Sequence, residues 1–129
     1  MFQTIRHAFN VIHSVAREAV KRVARSPEWR RVEKDFLSKN ASCAACGKSK
    51  RLQVHHVKPF HEYPSLELDE KNLIALCMGG KECHLKIGHG DDFKARNTTV
   101  RPDAAEVLAN PTDFDNVAAT TKAKRLYDG

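Results

Sequence analysis

The sequence lacks any long apolar run, and it contains only nine aromatic residues, six Phe, two Tyr and one Trp, among 129 residues. A membrane-spanning helix needs about 20 consecutive apolar residues, so none is predicted. No signal-peptide pattern is recognised either, and we therefore expect a reducing, cytoplasmic environment. The length predicts one domain with appendages, whose small central part has too few large apolar side chains to fold on its core alone.

Acidic residues are scarce in the first half of the chain. Residues 1–58 contain 13 Lys/Arg and 4 Asp/Glu (+9), whereas residues 59–129 contain 9 and 12 (−3), which gives the net charge of +6. This asymmetry predicts an anionic partner that the N-terminal half contacts, although a solvated basic surface is the alternative. The candidate DNA-binding residues are Arg30, Arg31, Lys34, Lys48, Lys50, Arg51 and Lys58. Three of them, Lys48, Lys50 and Arg51, fit a solvated turn equally well.

Cysteine is limited to four residues, which form two pairs. Cys43 and Cys46 form a C-x-x-C knuckle followed by Gly47, and Cys77 and Cys83 are separated by five residues. Four thiolates in two pairs predict a tetrahedral structural zinc site. Two disulfides or free buried thiols are the alternatives. The second pair is wider than usual for zinc ligands, and we expect the Gly79-Gly80 step to let its loop fold back.

Histidines lie between and after the cysteines. His55 and His56 end a β-like run, and neighbouring strand side chains point to opposite faces, so one can face a metal and the other a water at the substrate. A buried structural pair is the alternative. His84 begins a predicted short helix, residues 82–87, which Gly88 would end. His89 is about 140° from His84 around an α-helix, so it reaches the same metal only if the helix unwinds at Gly88.

Taken in order, these elements resemble the HNH endonuclease family. The resemblance rests on Cys43-x-x-Cys46, His55-His56-x-x-Pro59, Asn72-Leu73-x-x-Leu76-Cys77 and Cys83-His84. It covers about residues 43–89, and more loosely the chain from Ser26. It implies an α+β fold with a small ββα-metal (His-Me finger) core, a four-cysteine zinc site and flanking helices. The expected domains are a basic N-terminal helix (1–25), the nuclease domain (26–98) and a C-terminal helical tail (99–129).

The resemblance also implies the role of each site residue. The position of His56 is the general base, those of His55 and His84 bind a catalytic divalent ion (Mg²⁺, Mn²⁺, Ni²⁺ or Zn²⁺), and Asn72 orients the catalytic loop. His89 adds a ligand or contacts phosphate. A neutral imidazole, with a pKa of about 6.5, can accept a proton from water near neutral pH. A divalent ion polarises the phosphate.

The implied function is metal-dependent hydrolysis of DNA phosphodiesters. We expect nicking or cutting with weak sequence specificity, because no base-reading element is recognisable. Small members of the family occur in phages and bacteria, so the expected location is the cytoplasm of a bacterium or of a phage's bacterial host, and phage DNA-packaging proteins are possible partners. Two alternatives stay open: a non-catalytic, zinc-stabilised DNA-binding module, and an adaptor that assembles through its N-terminal helix.

Helices are predicted on both sides of the central segment. Residues 2–24 have an apolar stripe that can pack on the domain, pair with a second copy or lie on a membrane, and few acidic residues are also typical of a transit peptide. We favour packing or self-association, with the basic face on DNA. A second helix runs from Ser26 to about Ser38, with its Trp29 face on the zinc module. Residues 102–109 and 113–126 are predicted C-terminal helices.

Overall fold

A two-stranded antiparallel sheet carries most of the motif residues in the computed structural model, which describes residues 24–127. Strand β1 (Leu52–His56) pairs with β2 (Leu73–Cys77), so that His56 lies opposite Leu73 and Leu52 lies opposite Cys77. Every residue of β2 is buried, as its uninterrupted apolar sequence predicts. The register places the histidines of β1 beside Asn72 and one end of β2 beside the first cysteine pair.

Helix α1 (Trp29–Lys39) covers one face of this sheet. Its Phe36 packs with Val54, Leu73 and Ala75, and Trp29 flanks this cluster, so the apolar face of α1 packs on the sheet. The prediction that this face packs on the zinc module was wrong in that respect, because the cysteines belong to the other core cluster. The helix begins later than the sequence predicted, because the backbone N–H of Trp29 donates to the Ser26 carbonyl in a turn ahead of it, at 3.0 Å. The Ser26 hydroxyl accepts from the N–H of Glu28 within the same turn.

The C-terminal helices, α2 (Val100–Ala109) and α3 (Phe114–Lys124), join the larger core. Apart from the cysteines, this core comprises Ala45, Ile74, Leu76, Ile87, Val100, Ala104, Val107 and Phe114. A short sheet of β3 (Ala95–Arg96) and β4 (Leu126–Tyr127) ties the end of the described chain to the segment after His89. The fold class is therefore α+β, with helices flanking a small sheet, as predicted.

The helix after β2 differs from the prediction. It is a π-helix, His84–Gly88, and Gly88 lies inside it instead of ending it. The predicted helix at residues 2–24 lies outside the described residues, except for residue 24, so its packing and self-association stay predictions. Among residues 24–127, no helix is both long enough and apolar enough to cross a membrane.

Candidate metal centres and active-site pocket

The four cysteine sulfurs lie close together at the end of β2. Cys46 Sγ and Cys77 Sγ are 3.6 Å apart, and the N–H of Cys46 donates to Cys43 Sγ at 3.4 Å. All four sulfurs lie within 4.8 Å of one another, and none is in a disulfide. Zinc–sulfur bonds of about 2.3 Å at tetrahedral angles place sulfurs about 3.8 Å apart. The geometry of the cluster fits a zinc ion.

Left-handed backbone conformations close both cysteine loops. Gly47 has φ +75° directly after the knuckle, and Gly80 has φ +63° in the longer loop. Glu82 also adopts a positive φ, +52°, immediately before Cys83. Glycine adopts positive φ angles without steric cost, so Gly47 and Gly80 allow the two cysteine loops to turn back on themselves. The five-residue separation of Cys77 and Cys83 is thus compatible with a compact four-sulfur site.

The thiols influence one another strongly. The hydrogen bond between Cys43 and Cys83 lowers the pKa of Cys43 to about 4 and raises the pKa of Cys83 above its usual range. Burial raises the pKa of Cys77. One thiolate is therefore stabilised by its neighbours, whereas deprotonating all four in so small a volume requires a compensating cation. This donor set fits a soft divalent ion such as zinc.

Three histidines form a second cluster, one from β1 and two from the π-helix and the residue that follows it. His84 Nε2 lies 3.1 Å from His55 Nδ1 and 3.2 Å from His89 Nε2. The ring centroids of His55 and His89 are 4.7 Å apart, with the planes at 88°. Zinc–nitrogen bonds of about 2.0–2.1 Å at tetrahedral angles would separate the nitrogens by about 3.3–3.4 Å. The three nitrogens therefore converge closely enough to share one metal ion.

His89 reaches this cluster by a route that the sequence did not predict. The helix does not unwind at Gly88. It widens into a π-turn, in which residues five apart lie on one side, so His84 and His89 face the same point. A Cβ at Gly88 would lie 3.3 Å from Cε1 and Nδ1 of the His55 ring, so any larger residue requires the ring to shift. The missing side chain of Gly88 lets β1 and the π-helix approach.

Hydrogen bonds outside the cluster orient two of the rings. His84 Nδ1 is 2.7 Å from Gln53 Oε1, and His89 Nδ1 donates to the Ala95 carbonyl at 2.8 Å. Each bond directs the Nε2 lone pair of its ring inward, as in the outer shell of many metal sites. Burial lowers the pKa of His84 to about 4 and lowers that of His55 well below its usual value. The neutral imidazole, which is the ligand form, is therefore favoured.

His56 lies on the opposite face of β1 from His55, as strand alternation predicts. Its ring stacks on Trp29, with centroids 4.7 Å apart, and its Nε2 is 3.0 Å from the Glu67 carbonyl oxygen. A carbonyl only accepts, so Nε2 carries the proton and Nδ1 is left as the basic nitrogen. Burial lowers the pKa of His56, which keeps the ring neutral near neutral pH. The ring is thus held in a form that can accept a proton.

Asn72 closes the loop that follows His56. Its Oδ1 accepts from the Lys58 N–H at 2.8 Å, and its Nδ2 donates to the carbonyls of Lys58 and Leu66 at 3.1 and 3.3 Å. The side chain is buried. A single amide therefore ties the chain after β1 to the chain before β2, which is the geometry expected of a residue that orients the loop.

A pocket of about 280 Å³ has the three clustered histidines, His56 and also His61 in its walls. Two arginines that the sequence analysis did not select, Arg25 and Arg96, also line it. The Arg25 guanidinium lies 4.5 Å from the Phe60 ring centroid and 3.4 Å from the Glu67 carboxylate, while Arg96 pairs with Glu62. These partners are 34 to 42 positions apart in sequence, so no local pattern could have indicated them.

None of the seven predicted DNA-binding residues lines this pocket. All seven are exposed. Arg31 forms ion pairs with Glu28 and Asp35 on its own helix, which raise its pKa, and Lys58 Nζ lies 5.2 Å from the Tyr63 ring centroid. Contact with DNA outside the pocket stays a prediction for this group.

Comparison with known families gives one result. The family model described as HNH endonuclease matches residues 43–90, which contain every cysteine and all five histidines of the pocket wall. Comparisons with curated proteins and with solved structures found no match. The family match indicates a nuclease or DNA-binding function. Both metal-ligand clusters lie within the residues that match the HNH endonuclease family model.

Proposed function

We propose that this protein is a metal-dependent HNH endonuclease that hydrolyses DNA phosphodiester bonds, by nicking or cutting, with weak sequence specificity. The observation that carries the proposal is the shared pocket. Three histidine nitrogens converge within it, and a fourth histidine, His56, is held neutral in its wall. A structural zinc site needs only the cysteines, so the histidine cluster requires a separate explanation.

The residues that would hold the catalytic ion are His55, His84 and His89. When bound, a divalent ion polarises the phosphate and offsets charge on the leaving oxygen. Neutral imidazoles suit Zn²⁺ and Ni²⁺ better than Mg²⁺, which prefers oxygen ligands. Of the ions compatible with the family, we therefore expect Zn²⁺ or Ni²⁺ to bind this site more tightly than Mg²⁺.

His56 would act as the general base through Nδ1. The Glu67 carbonyl fixes the proton on Nε2, and the Trp29 ring fixes the plane of the imidazole. A neutral base held in this way can accept a proton from a water molecule at physiological pH. Asn72 positions the loop that follows His56, so it acts on the reaction through His56 and not by contact with the substrate.

The arginines of the pocket would bind the negative charge of the substrate. Arg25 is restrained by Phe60 and by the buried Glu67, which also accepts from the Ser26 N–H at 2.8 Å. A guanidinium restrained in this way loses less conformational freedom when it binds a phosphate oxygen. The seven exposed Lys and Arg residues would add non-specific attraction along the DNA backbone.

A DNA-binding module without catalysis would share the zinc site and the basic surface. The test incubates supercoiled plasmid with protein and a single added ion, Mg²⁺, Mn²⁺, Ni²⁺ or Zn²⁺. A chelator control is kept at a concentration that leaves the circular-dichroism spectrum unchanged. Nicking that requires the added ion and stops with the chelator supports the nuclease. Plasmid that is bound but stays uncut with every ion contradicts it and favours the binding module.

The wider biological setting stays a prediction from the sequence. It includes the three-part domain division and a location in the cytoplasm of a bacterium or of a phage's bacterial host. It also includes self-association through residues 2–24 and phage DNA-packaging proteins as partners. A comparison of the solution mass of the full chain with that of a chain lacking residues 1–24 tests the self-association.

A further inference from the structure

Phe93 is exposed at the edge of the histidine pocket. Its side chain is 54% exposed, yet its ring lies 5.1 Å from the His89 centroid and 5.6 Å from that of His84. It belongs to the residues that line the pocket. Only Tyr63 and Leu108 are comparably exposed large apolar residues in the described part of the chain, and neither lines the pocket.

The backbone around Phe93 is held by hydrogen bonds. The Asp92 carboxylate accepts from the Lys94 N–H at 2.9 Å, and the Asp92 carbonyl accepts from the Ala95 N–H at 2.8 Å. Ala95 in turn accepts from His89, one of the three clustered histidines. The turn therefore fixes an aromatic ring beside the proposed reaction site, and part of that ring is left open to solvent.

We propose that Phe93 stacks on a nucleobase next to the scissile phosphate, and that the preferred substrate is DNA whose bases are open there, single-stranded or mismatched. This inference rests on the proposed nuclease function and adds the substrate class. An apolar ring has no affinity for a phosphate, whereas every base offers a π-face for stacking. In a perfectly paired duplex these faces are covered by neighbouring bases, so the ring gains this contact only at an open step.

The neighbouring charges fit this assignment. Lys94 follows Phe93 in sequence and is exposed, so a cation is available for the backbone beside a stacked base, whereas Arg96 lines the same pocket but pairs with Glu62. The nearby acidic residues have partners in the protein, because Asp91 pairs with Lys122 at 3.6 Å and Asp92 closes the turn. A base can therefore approach the ring without an unpaired carboxylate in its path.

Binding is measured with the full chain carrying His56→Ala, so that the DNA stays intact. The probes are a single strand, a duplex with one mismatch and a fully paired duplex. Each contains the fluorescent base 2-aminopurine, which lies at the mismatch in the mismatched duplex. We compare Phe93→Ala and Phe93→Leu with Phe93→Trp and with the equally exposed control Leu108→Ala. Phe93→Leu retains apolar contact with the histidines but cannot stack. Metal binding at the histidine site is measured for each variant.

We expect Ala and Leu at position 93 to weaken binding of single-stranded and mismatched DNA by about 5-fold to 150-fold, with loss of 2-aminopurine quenching. Phe93→Trp should preserve both the affinity and the quenching. The affinity of every variant for the paired duplex, and the affinity of Leu108→Ala for all three DNAs, should change by less than about 2-fold. Equal weakening for all three DNAs, or unchanged quenching in Phe93→Leu, would overturn the inference. Because binding is measured without cleavage, failure of the nuclease proposal appears separately, as no cutting by the otherwise unaltered chain.

Discussion

At the scale of single residues, the histidine cluster depends on Gly88, which has no side chain to displace the His55 ring. Gly88 has an ordinary negative φ, so its conformation does not require glycine. The atoms around it favour glycine, because a Cβ at position 88 would lie 3.2 Å from Leu76 Cδ1 and 3.3 Å from the His55 ring. The nearest atoms belong to one metal-site residue and one core residue, and any adjustment moves one of them.

We therefore expect Gly88→Ala to displace His55 and to weaken metal binding at the histidine centre by at least about 10-fold. The overpacking should also lower the free energy of unfolding by about 1–3 kcal/mol. Calorimetric metal titration and thermal unfolding measure the two effects.

Gly80→Ala is the matched control. Gly80 has φ +63° and no atom within 4 Å of its added Cβ, so alanine there should cost about 1 kcal/mol of backbone strain and leave the histidine site unchanged. Equal metal affinity in the two variants would contradict the role given to Gly88.

Asn72 provides the second residue-scale prediction. Asn72→Ala leaves the Lys58 N–H and the carbonyls of Lys58 and Leu66 without this partner, which should cost about 1–3 kcal/mol of unfolding free energy. Cleavage should fall further than folding alone explains, since the loop after His56 is released. Denaturant unfolding and nicking rates at saturating DNA are compared with those of Asn116→Ala, whose exposed amide bonds only Asp113. A stable, fully active Asn72→Ala would remove its orienting role.

At the scale of elements, the sequence predicted the features that are determined by neighbouring residues along the chain. The apolar run at residues 73–77 specified a buried strand, the Ser26-Pro27 start and the Trp29 face specified a helix packed inward, and the cysteine spacing specified one four-sulfur site. The π-helix could not be predicted in this way. It lies where His84 and His89 meet His55 of β1, and only the packed structure brings these residues together.

The pocket arginines and the packing of the C-terminal helices were missed for the same reason. The contacts of Arg25 with Phe60 and Glu67 bridge segments far apart in sequence. The final helix has few apolar residues, yet Phe114 and Thr121 are buried, and the helix packs against the π-helix. A hydrophobic pattern shows how many apolar residues an element has, but it does not show which neighbour covers them.

Phe114→Ala tests the importance of this packing. Phe114 lies outside residues 43–90, but it is only 5% exposed and belongs to the core that contains Ile87 of the π-helix. We expect the substitution to lower the free energy of unfolding by about 3–5 kcal/mol. Leu108→Ala, at a position 53% exposed, should change it by less than about 0.5 kcal/mol. Similar unfolding midpoints for both variants would show that α3 contributes little to the fold.

At the scale of the whole molecule, we assign different tasks to the two ligand clusters. The cysteine cluster joins the knuckle, the end of β2 and the start of the π-helix, so a zinc ion bound there would support folding. The histidine cluster lines a pocket, so its ion is expected to serve the reaction and to be dispensable for the fold.

The two centres should separate in a metal count. We expect about two zinc ions per chain when zinc is in excess, about one in His84→Ala with folding preserved, and extensive unfolding in Cys77→Ser. Elemental analysis after gel filtration, with circular dichroism on the same samples, gives both quantities. Unfolding of His84→Ala, or a folded Cys77→Ser, would reverse the assignment of structural and catalytic sites.

The most direct measurement is the rate of plasmid nicking by His56→Ala. The variant is compared with the unaltered chain and with His61→Ala, which removes another, exposed histidine of the same pocket wall. Because a general base contributes about 10²- to 10⁴-fold, we expect a loss of that size in His56→Ala, with zinc content, folding and DNA binding retained. His61→Ala should keep most of the rate. A folded, DNA-binding His56→Ala that nicks as fast as the unaltered chain would contradict the central claim.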